Sequence, residues 1–191
     1  TANLPAPAIK DPSKYFQSDN FTGTGASLAR TLTDAEGSAV KPDLVWVKDL
    51  DSAVEHLWVD SARGATKELN IDSSNAETTV AQGLKSFDTS GYTLGTDGNY
   101  NTSSSLNLAY CWNTQGGAGS SNTDGTINTT TTSVGTTQGF SINTYTGTGS
   151  AATVGHGLGV APDLIMIKNL ADTDAWAVYH SSNTAAPETD Y

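Results

Sequence analysis

Two stretches of this 191-residue chain are nearly the same, and each is typical of a buried β-strand. Residues 42–48 read PDLVWVK and residues 162–168 read PDLIMIK. In both, Pro-Asp leads into four apolar residues rich in β-branched side chains, and a Lys begins a polar turn. Because a long-period internal repeat indicates copies of one structural unit, the chain is predicted to hold two related β domains in tandem. An α/β enzyme is not expected.

The repeat extends in both directions from this strand. Residues 21–25 read FTGTG and residues 145–149 read YTGTG, and Val59-Asp60-Ser61 corresponds to Tyr179-His180-Ser181. The first unit continues from Ser61 to Trp112, whereas the sequence ends at Tyr191, soon after the matching Ser181. The second unit therefore looks incomplete. Either the natural chain continues or this unit is a fragment, and the sequence leaves both open.

These boundaries predict four segments. Residues 1–14 form an extended N-terminal arm, residues 15–113 the first β-sandwich repeat, residues 114–122 a Gly/Ser linker, and residues 123–191 the start of the second repeat. The arm is predicted to be extended because proline fixes φ and lacks a backbone donor. We expect it to dock on a neighbouring subunit or on another protein of an assembly, and its candidate assembly residues are Pro5, Pro7, Ile9 and Pro12.

The composition favours a polar β protein that does not bind nucleic acid. The chain has 19 Gly, 15% charged residues, and a formal net charge of −11 with a pI near 4.3. Such a chain lacks the basic surface that follows a phosphate backbone. No apolar stretch approaches the roughly 20 residues that span a bilayer, and the N-terminus of the sequence lacks the regions of a signal peptide. We expect neither nucleic acid binding nor membrane insertion.

Several local elements follow from residue patterns. Residues 106–112 predict a strand with Leu106, Leu108, Tyr110 and Trp112 on one face and Cys111 on the other. Strands are also predicted at 56–59, 84–87 and 91–95. Asp97-Gly98-Asn99 is a hairpin turn signal. Helix is expected only as a turn or two, near residues 60–67, although a loop leading to a strand also fits that stretch.

The combined motifs resemble a β-sandwich repeat family of tailed-bacteriophage virion and tail-fibre-like proteins, often marine. The motifs that carry this resemblance cover nearly everything after Tyr15. In the first unit they are residues 42–48, 60–67 (DSARGATK), 87–95 (FDTSGYTLG) and 109–112 (AYCW); in the second they are 139–142, 145–149, 156–159, 161–163 and 179–182. The resemblance implies an all-β fold of tandem β-sandwich domains, jelly-roll or concanavalin-like. It also implies a structural module, with no active site to transfer. The second unit departs from the pattern because it stops before an Arg-Gly-Ala-Thr-Lys equivalent.

No catalytic, cofactor or metal site is predicted. The Glu-x-Asp-x-x-Glu spacing of concanavalin-like glucanases is absent, so the paired carboxylates of glycoside hydrolysis are not provided. The carboxylate pairs that could be considered, Glu55 with Asp60 and Asp43 with Asp163, are expected to be solvated or to cap turns. The three histidines lack the spacing of metal ligands. Residues 97–101 begin like a calcium loop, but Thr102 stands where Gly is expected and Leu108 where Glu is expected.

Two functions of different classes are consistent with these observations. The first is a non-enzymatic virion protein, a tail fibre, spike or capsid-decorating appendage that contributes to host attachment. Its expected partners are other virion proteins, copies of itself in a homotrimer, and a host surface glycan. Its expected location is the extracellular virion. The second is a lectin-like or carbohydrate-active domain of a secreted bacterial surface protein.

Overall fold

The computed structural model describes residues 9–183 of the chain, and the described part is almost entirely β. A 3-10 turn, Pro12–Lys14, precedes the first strand. The elements that follow are β1 Phe16–Thr22, β2 Leu28–Thr31, β3 Leu44–Asp49, β4 Leu57–Asp60, β5 Lys67–Asn70, β6 Thr78–Thr79, β7 Leu84–Asp88, β8 Gly91–Leu94, α1 Gly98–Asn101, β9 Leu106–Trp112, β10 Thr131–Gly135, β11 Phe140–Thr144, β12 Leu164–Ile167 and β13 Ala177–His180. No helix within residues 9–183 has the length and apolar character needed to cross a membrane.

The first unit consists of two antiparallel sheets that face each other across one core. Six strands form the larger sheet in the order β1-β9-β3-β4-β5-β6, and three form the smaller sheet in the order β2-β8-β7. Both sheets contribute side chains to the core, which contains Phe21, Leu32, Val40, Val45, Val47, Leu57, Val59, Leu84, Tyr92, Leu94, Tyr100, Ala109 and Cys111. The all-β class predicted from the repeat is therefore confirmed.

Strand alternation decides which side chains enter this core. On β3, Val45 and Val47 point inward and are fully buried, while Trp46 lies on the outer face and is half-buried. On β9, the predicted two faces are confirmed, and the inward face is the one with the small side chains of Ala109 and Cys111. The larger residues of β9 therefore lie on the outside of the sheet.

The strands predicted at 84–87 and 91–95 are confirmed as β7 and β8, and a tight turn joins them. Gly91 has φ +143, and a Cβ there would lie 1.9 Å from the backbone oxygen of Arg30 on β2. Only glycine fits this close approach of two strands. The strand predicted at 56–59 is also confirmed, as β4, and it pairs with β3.

The structure decides between the two alternatives for residues 60–67 and corrects one turn prediction. Residues 60–67 form the loop that leads to a strand, β5, and not a helical turn, because Gly64 and Thr66 adopt φ of +102° and +69°, outside the right-handed helical region. Asp97-Gly98-Asn99 does not form a hairpin turn, because the Asp97 side chain accepts the Asn99 N–H and caps the short helix α1.

Around the predicted arm and linker, the described residues pack against neighbouring parts of the chain. Pro5 and Pro7 lie outside the described residues. Ser13, in the 3-10 turn, accepts the Ala35 N–H through its hydroxyl at 2.8 Å. In the segment 114–122, Gly119 has φ +74, and a Cβ there would lie 2.4 Å from the Thr132 oxygen on β10. This part of the Gly/Ser segment is packed closely against a strand.

The second unit repeats the hairpin of the first. β12 and β13 pair antiparallel as β3 and β4 do. In each copy the serine after the second strand donates its N–H to the backbone oxygen of the aspartate before the first strand, at 2.7 Å for Ser61 to Asp43 and 2.8 Å for Ser181 to Asp163. A second, two-stranded sheet, β10-β11, precedes this hairpin. The sequence repeat thus corresponds to a structural repeat at the level of the hairpin.

Candidate functional site

The outer face of the six-stranded sheet carries a continuous group of aromatic side chains. Strand alternation places one or two aromatic residues from each of β1, β3, β4 and β9 on this face. In the first unit they are Phe16, Trp46, Trp58, Tyr110 and Trp112. We call this group the aromatic face.

Trp46 is the centre of the aromatic face. Its ring centroid lies 5.5 Å from that of Tyr110, 6.4 Å from that of Trp58 and 6.5 Å from that of Trp112. Its indole Nε1 donates a hydrogen bond to His56 Nδ1 at 3.2 Å. Because the partners of Trp46 come from both neighbouring strands, its ring orientation is fixed on each side.

The second unit adds two aromatic residues to the same face. The Phe140 ring lies 6.5 Å from that of Trp112, and the Trp176 ring lies 6.0 Å from that of Trp58. Trp176 Nε1 also donates to the Asn70 backbone oxygen at 3.0 Å. The two units are therefore joined through aromatic contacts and not only through the chain between them.

A groove of about 220 Å³ lies at one end of the aromatic face. Phe16, Trp112 and Phe140 supply its rings, and Asn113 and Gln138 supply amide groups. Phe16 is 42% exposed, so its ring is open to a ligand. Gln138 Nε2 donates to the Asn113 backbone oxygen, while Gln138 Oε1 is buried without a partner among the described residues. Rings and amides of this kind bind polar ligands that also have an apolar face.

Two of the four predicted arm residues line this groove. Ile9 and Pro12 contribute to its wall, together with Tyr15. Close by, the Lys14 ammonium lies 2.8 Å from Glu36 Oε2, 3.9 Å from Asp11 and 4.0 Å from Asp34. The three carboxylates form a compact acidic group, and the lysine already neutralises part of its charge. These contacts attach the end of the arm to its own unit.

A second polar centre surrounds Asp43, the aspartate of the repeated motif. Its carboxylate accepts hydrogen bonds from Ser61 Oγ at 3.0 Å, from Thr114 N at 2.9 Å and from Thr114 Oγ1 at 2.8 Å. Asp43 is buried, so these three donors compensate for its lost hydration. This arrangement joins the β3–β4 hairpin to the segment after β9, which is a structural role.

Buried ionisable groups in the core are also paired with one another. Tyr92 donates to Asp19 at 2.9 Å, and Arg30 donates to both oxygens of the same carboxylate. Tyr100 donates to Glu68 at 2.7 Å. Burial raises the pKa of Tyr92 and of Tyr100 well above the ordinary value, and burial also raises the pKa of Glu68.

The core cysteine is not activated. Burial, with a smaller effect of Asp19, raises the pKa of the Cys111 thiol and so favours its unreactive neutral form. The structure therefore agrees with the interpretation of Cys111 as a small residue that fills a strand position.

The other residues weighed from the sequence have local structural contacts. His156 Nδ1 accepts the Leu158 N–H, and His180 Nδ1 accepts the Ser182 N–H. Asp60 binds Arg63 Nε at 2.6 Å, and Asp163 accepts from Ser181 Oγ at 2.6 Å. Asn101 holds a loop in place, since its Oδ1 accepts the Thr24 N–H and its Nδ2 donates to the Gly95 oxygen. The structure does not bring these residues together.

Sequence reasoning missed the aromatic face. It placed Tyr110 and Trp112 on one face of a strand but did not assign that face to the outside of the sheet. The available signal was the alternation of large residues with small or β-branched ones. In 44–47, Leu44 and Trp46 alternate with valines, and in 109–112, Tyr110 and Trp112 alternate with Ala109 and Cys111. On two strands that lie side by side, this pattern indicates one face for the core and another for aromatic contacts.

Comparisons with known proteins give one result. No curated protein and no solved structure is matched by this chain. The family model described as a domain of unknown function, DUF7483, matches residues 11–190. Because that match covers both repeats and nearly the whole sequence, the chain belongs to the DUF7483 family.

Proposed function

We propose that this protein is a non-enzymatic structural component of a bacteriophage virion, a tail fibre, spike or capsid-decorating appendage built from tandem β-sandwich repeats of the jelly-roll or concanavalin-like kind. The observation that supports this most directly is the aromatic packing of one repeat on the other. Phe140 and Trp176 of the second unit continue the aromatic face of the first. Packing of one repeat on the next through side chains is the kind of junction that an appendage built from repeats requires.

The contacts at this junction are directional. The Trp176 indole N–H binds the Asn70 backbone oxygen, and the Glu77 N–H binds the Leu170 backbone oxygen at 2.9 Å. Both bonds join the turn between β12 and β13 to the β5–β6 side of the first unit. Aromatic packing with backbone hydrogen bonds fixes one repeat relative to the next better than a flexible linker does.

A non-catalytic role is supported by the state of the carboxylates. Asp19, Asp43 and Asp60 are buried and bound by arginine, tyrosine, serine or threonine donors. A general acid or base must reach a substrate proton. Carboxylates that already hold the protein together are poor candidates for that work.

The direct test is the protein content of purified particles. Virions of the phage that encodes this chain should contain its peptides in fixed proportion to the major capsid protein, by mass spectrometry after density-gradient purification. An antibody against the first unit should label an appendage in electron micrographs. Peptides found in the infected-cell lysate and missing from purified virions would overturn the proposal, as would a coding sequence outside any phage genome.

A second candidate function, glycan binding, is favoured by the groove at Phe16, Trp112 and Phe140. Sugars stack their apolar C–H faces on aromatic rings, and an amide such as that of Gln138, whose Oε1 has no partner among the described residues, can bind a hydroxyl group. The groove volume of about 220 Å³ is of the size of one sugar ring. A glycan-binding groove fits both a host-attachment appendage and a lectin-like domain of a bacterial surface protein.

Glycan binding is tested with Phe16→Ala, which removes the most exposed ring of the groove. Leu106→Ala is the matched control, since Leu106 is exposed to a similar degree and does not line the groove. We expect the Phe16 variant to lose at least tenfold in affinity for a glycan that the wild-type protein retains on an array. An equal loss in both variants, or no retained glycan, would exclude this groove as the site.

A further inference from the structure

A second cavity, of about 450 Å³, lies next to the groove that Phe16 lines. Its lining includes Lys41, Thr89 and Gln115, and all three residues are exposed. Asn113 lines both cavities, so the two share one wall. We call this second cavity the lysine cleft.

Lys41 supplies the cleft with a positive charge that the protein leaves unpaired. Within residues 9–183, ion pairs or hydrogen bonds engage the side chain of every arginine and lysine except Lys10, Lys41 and Lys85. Of these three lysines, only Lys41 lines either cavity. In a chain with a formal net charge of −11, an ammonium group without a described carboxylate partner is available to a ligand anion.

The charge around the cleft also limits which anion fits. Asp43 lines the cleft, and donors from Ser61 and Thr114 occupy both oxygens of its buried carboxylate. Asp43 therefore adds negative charge to the cleft without forming an ion pair with Lys41. One ammonium near one carboxylate favours a ligand group with a single negative charge over a phosphate monoester, which carries about 1.5 to 2.

Neutral polar groups beside Lys41 can bind a sugar acid. The side chains of Thr89 and Gln115 line the cleft, and neither has a hydrogen bond to another described residue. A hydroxyl and an amide N–H can donate to a carboxylate, and both groups also bind sugar hydroxyls. On the groove side, Gln138 Oε1 is likewise without a described partner and can accept from a hydroxyl.

The wall between the two cavities is held rigidly by hydrogen bonds of Asn113. Its backbone N–H donates to the Tyr15 oxygen at 2.8 Å, and its backbone oxygen accepts from Gln138 Nε2 at 2.8 Å. Its side-chain Oδ1 accepts the Gln115 N–H at 2.6 Å, and its Nδ2 donates to the Lys14 oxygen at 3.1 Å. A site whose walls are already ordered loses little conformational entropy when a ligand binds.

The two cavities differ in the charge beside them. The acidic group of Asp11, Asp34 and Glu36 is close to the groove, because Asp11 directly precedes Pro12 in the groove wall. Lys41 lies in the cleft. Electrostatics therefore favour a carboxylate in the cleft and an uncharged sugar face in the groove.

We propose that the groove and the lysine cleft form one site for an acidic oligosaccharide. The carboxylate of a uronic acid residue binds Lys41, and the adjoining sugar ring stacks on the exposed ring of Phe16. The inference rests on the proposed glycan binding and names the class of glycan that the site takes.

The test compares each acid with its neutral counterpart. Fluorescently labelled trisaccharides of galacturonic, glucuronic and mannuronic acid are titrated with the full 191-residue protein, each beside its own methyl ester, which keeps the sugar and removes the charge. We expect at least one trisaccharide to bind at least tenfold more tightly as the acid than as the ester, because the hydrogen bond to Lys41 is assisted by charge. Added salt should weaken binding of the acid and leave that of the ester unchanged.

Two lysine variants locate the charge. Lys41→Gln should lower the affinity for the acid to that for the ester. Lys85→Gln is the matched control, since it removes the same charge at an exposed lysine that lines neither cavity, and it should bind as the wild-type protein does. Phe16→Ala should weaken binding of the acid and of the ester by the same factor.

Three outcomes would overturn the inference: no binding of any uronate, equal affinity for acid and ester, or equal losses in the two lysine variants. Tighter binding of a sulfated trisaccharide would overturn the choice of a carboxylate.

These failures are distinguishable from failure of the proposed functions. A neutral glycan that binds in a Phe16-dependent manner would keep the groove as a glycan site even if the acidic specificity fails. The presence of the protein in purified virions is measured separately and does not depend on either result.

Discussion

In the β3–β4 hairpin, the carboxylate of Asp43 is buried and accepts three side-chain and backbone hydrogen bonds from Ser61 and Thr114. In the β12–β13 hairpin, the equivalent Asp163 is exposed and accepts one described hydrogen bond, from Ser181. The local sequence and the bond to serine are the same in both. What differs is the surrounding structure, since Thr114 follows a strand, β9, that pairs with the first hairpin and not with the second.

This difference shows that one short motif can specify the same hairpin twice while contributing different amounts to stability. Lys48 and Lys168 each make the same two hydrogen bonds to the turn that follows, at nearly the same distances. The same bond contributes more in a buried site, because a buried partner left alone cannot be hydrated. Paired substitutions at equivalent positions therefore measure the contribution of the surroundings.

The largest difference is expected for an aspartate placed on the inward face of each hairpin. Val47→Asp buries an unpaired charge and should lower the free energy of unfolding of the first unit by about 4 kcal/mol or more. Ile167 lies on an exposed hairpin, so Ile167→Asp should change the free energy of unfolding by no more than about 0.5 kcal/mol. Urea unfolding followed by circular dichroism measures both. Equal losses would show that the second hairpin is covered.

The next largest difference in stability is expected for substitution of the aspartate in each of the two motifs. Asp43→Ala leaves the buried Thr114 N–H without its acceptor and removes the carboxylate from the Ser61 and Thr114 hydroxyls, and we expect a loss of about 3 kcal/mol. Asp163→Ala should cost no more than about 0.5 kcal/mol, because water replaces the carboxylate. Asp43→Asn retains one side-chain oxygen, so its loss of stability should be between those of Asp43→Ala and Asp163→Ala. Equal losses for the two alanine variants would contradict the conclusion that burial makes Asp43 the more important aspartate.

His56 and Trp176 occupy equivalent positions before the second strand of each hairpin, and they differ in what they contact. Trp176 packs on Trp58 and binds the Asn70 oxygen of the other unit, so Trp176→Ala should cost about 2 kcal/mol and loosen the junction. His56 contacts Trp46 within its own unit, and His56→Ala should cost about 1 kcal/mol. Limited proteolysis should cleave near residues 114–122 faster only in the Trp176 variant.

The smallest expected effect has the opposite sign. Asp49 and Asn169 are equivalent, and one side-chain oxygen of each accepts a backbone N–H two residues later. The second oxygen of Asp49 is buried without a partner among the described residues. Asn107, which lies opposite Asp49 on β9, also has a buried Oδ1 without such a partner. Asp49→Asn should therefore stabilise the protein by about 1 kcal/mol, since it removes a buried charge and keeps the turn acceptor. Asn169→Asp, at an exposed position, is the control and should be neutral in thermal unfolding. Destabilisation by Asp49→Asn would mean that the carboxylate has a further partner.

The sequence by itself determined the elements whose cause is local or periodic. The Pro-Asp strands, the all-β class and the two faces of residues 106–112 follow from alternation and β-branched side chains, which act within a few residues. The wrong turn prediction at 97–99 and the undecided stretch 60–67 also have local reasons. Asp97 is favourable both in a turn and as a helix cap, and residues 60–67 contain helix-compatible side chains that do not reveal the positive φ of Thr66.

Only the tertiary structure decided which face of each strand is inside and which copy of the hairpin is covered within residues 9–183. Trp46 and Tyr110 are apolar enough for a core, yet they lie outside, because the gap between the two sheets is filled by Val45, Val47, Ala109 and Cys111. The grouping of Phe16, Trp112 and Phe140 in one groove depends on three strands that are far apart in the sequence. Pairing between distant strands depends on the whole set of neighbours, and no single stretch of residues contains that information.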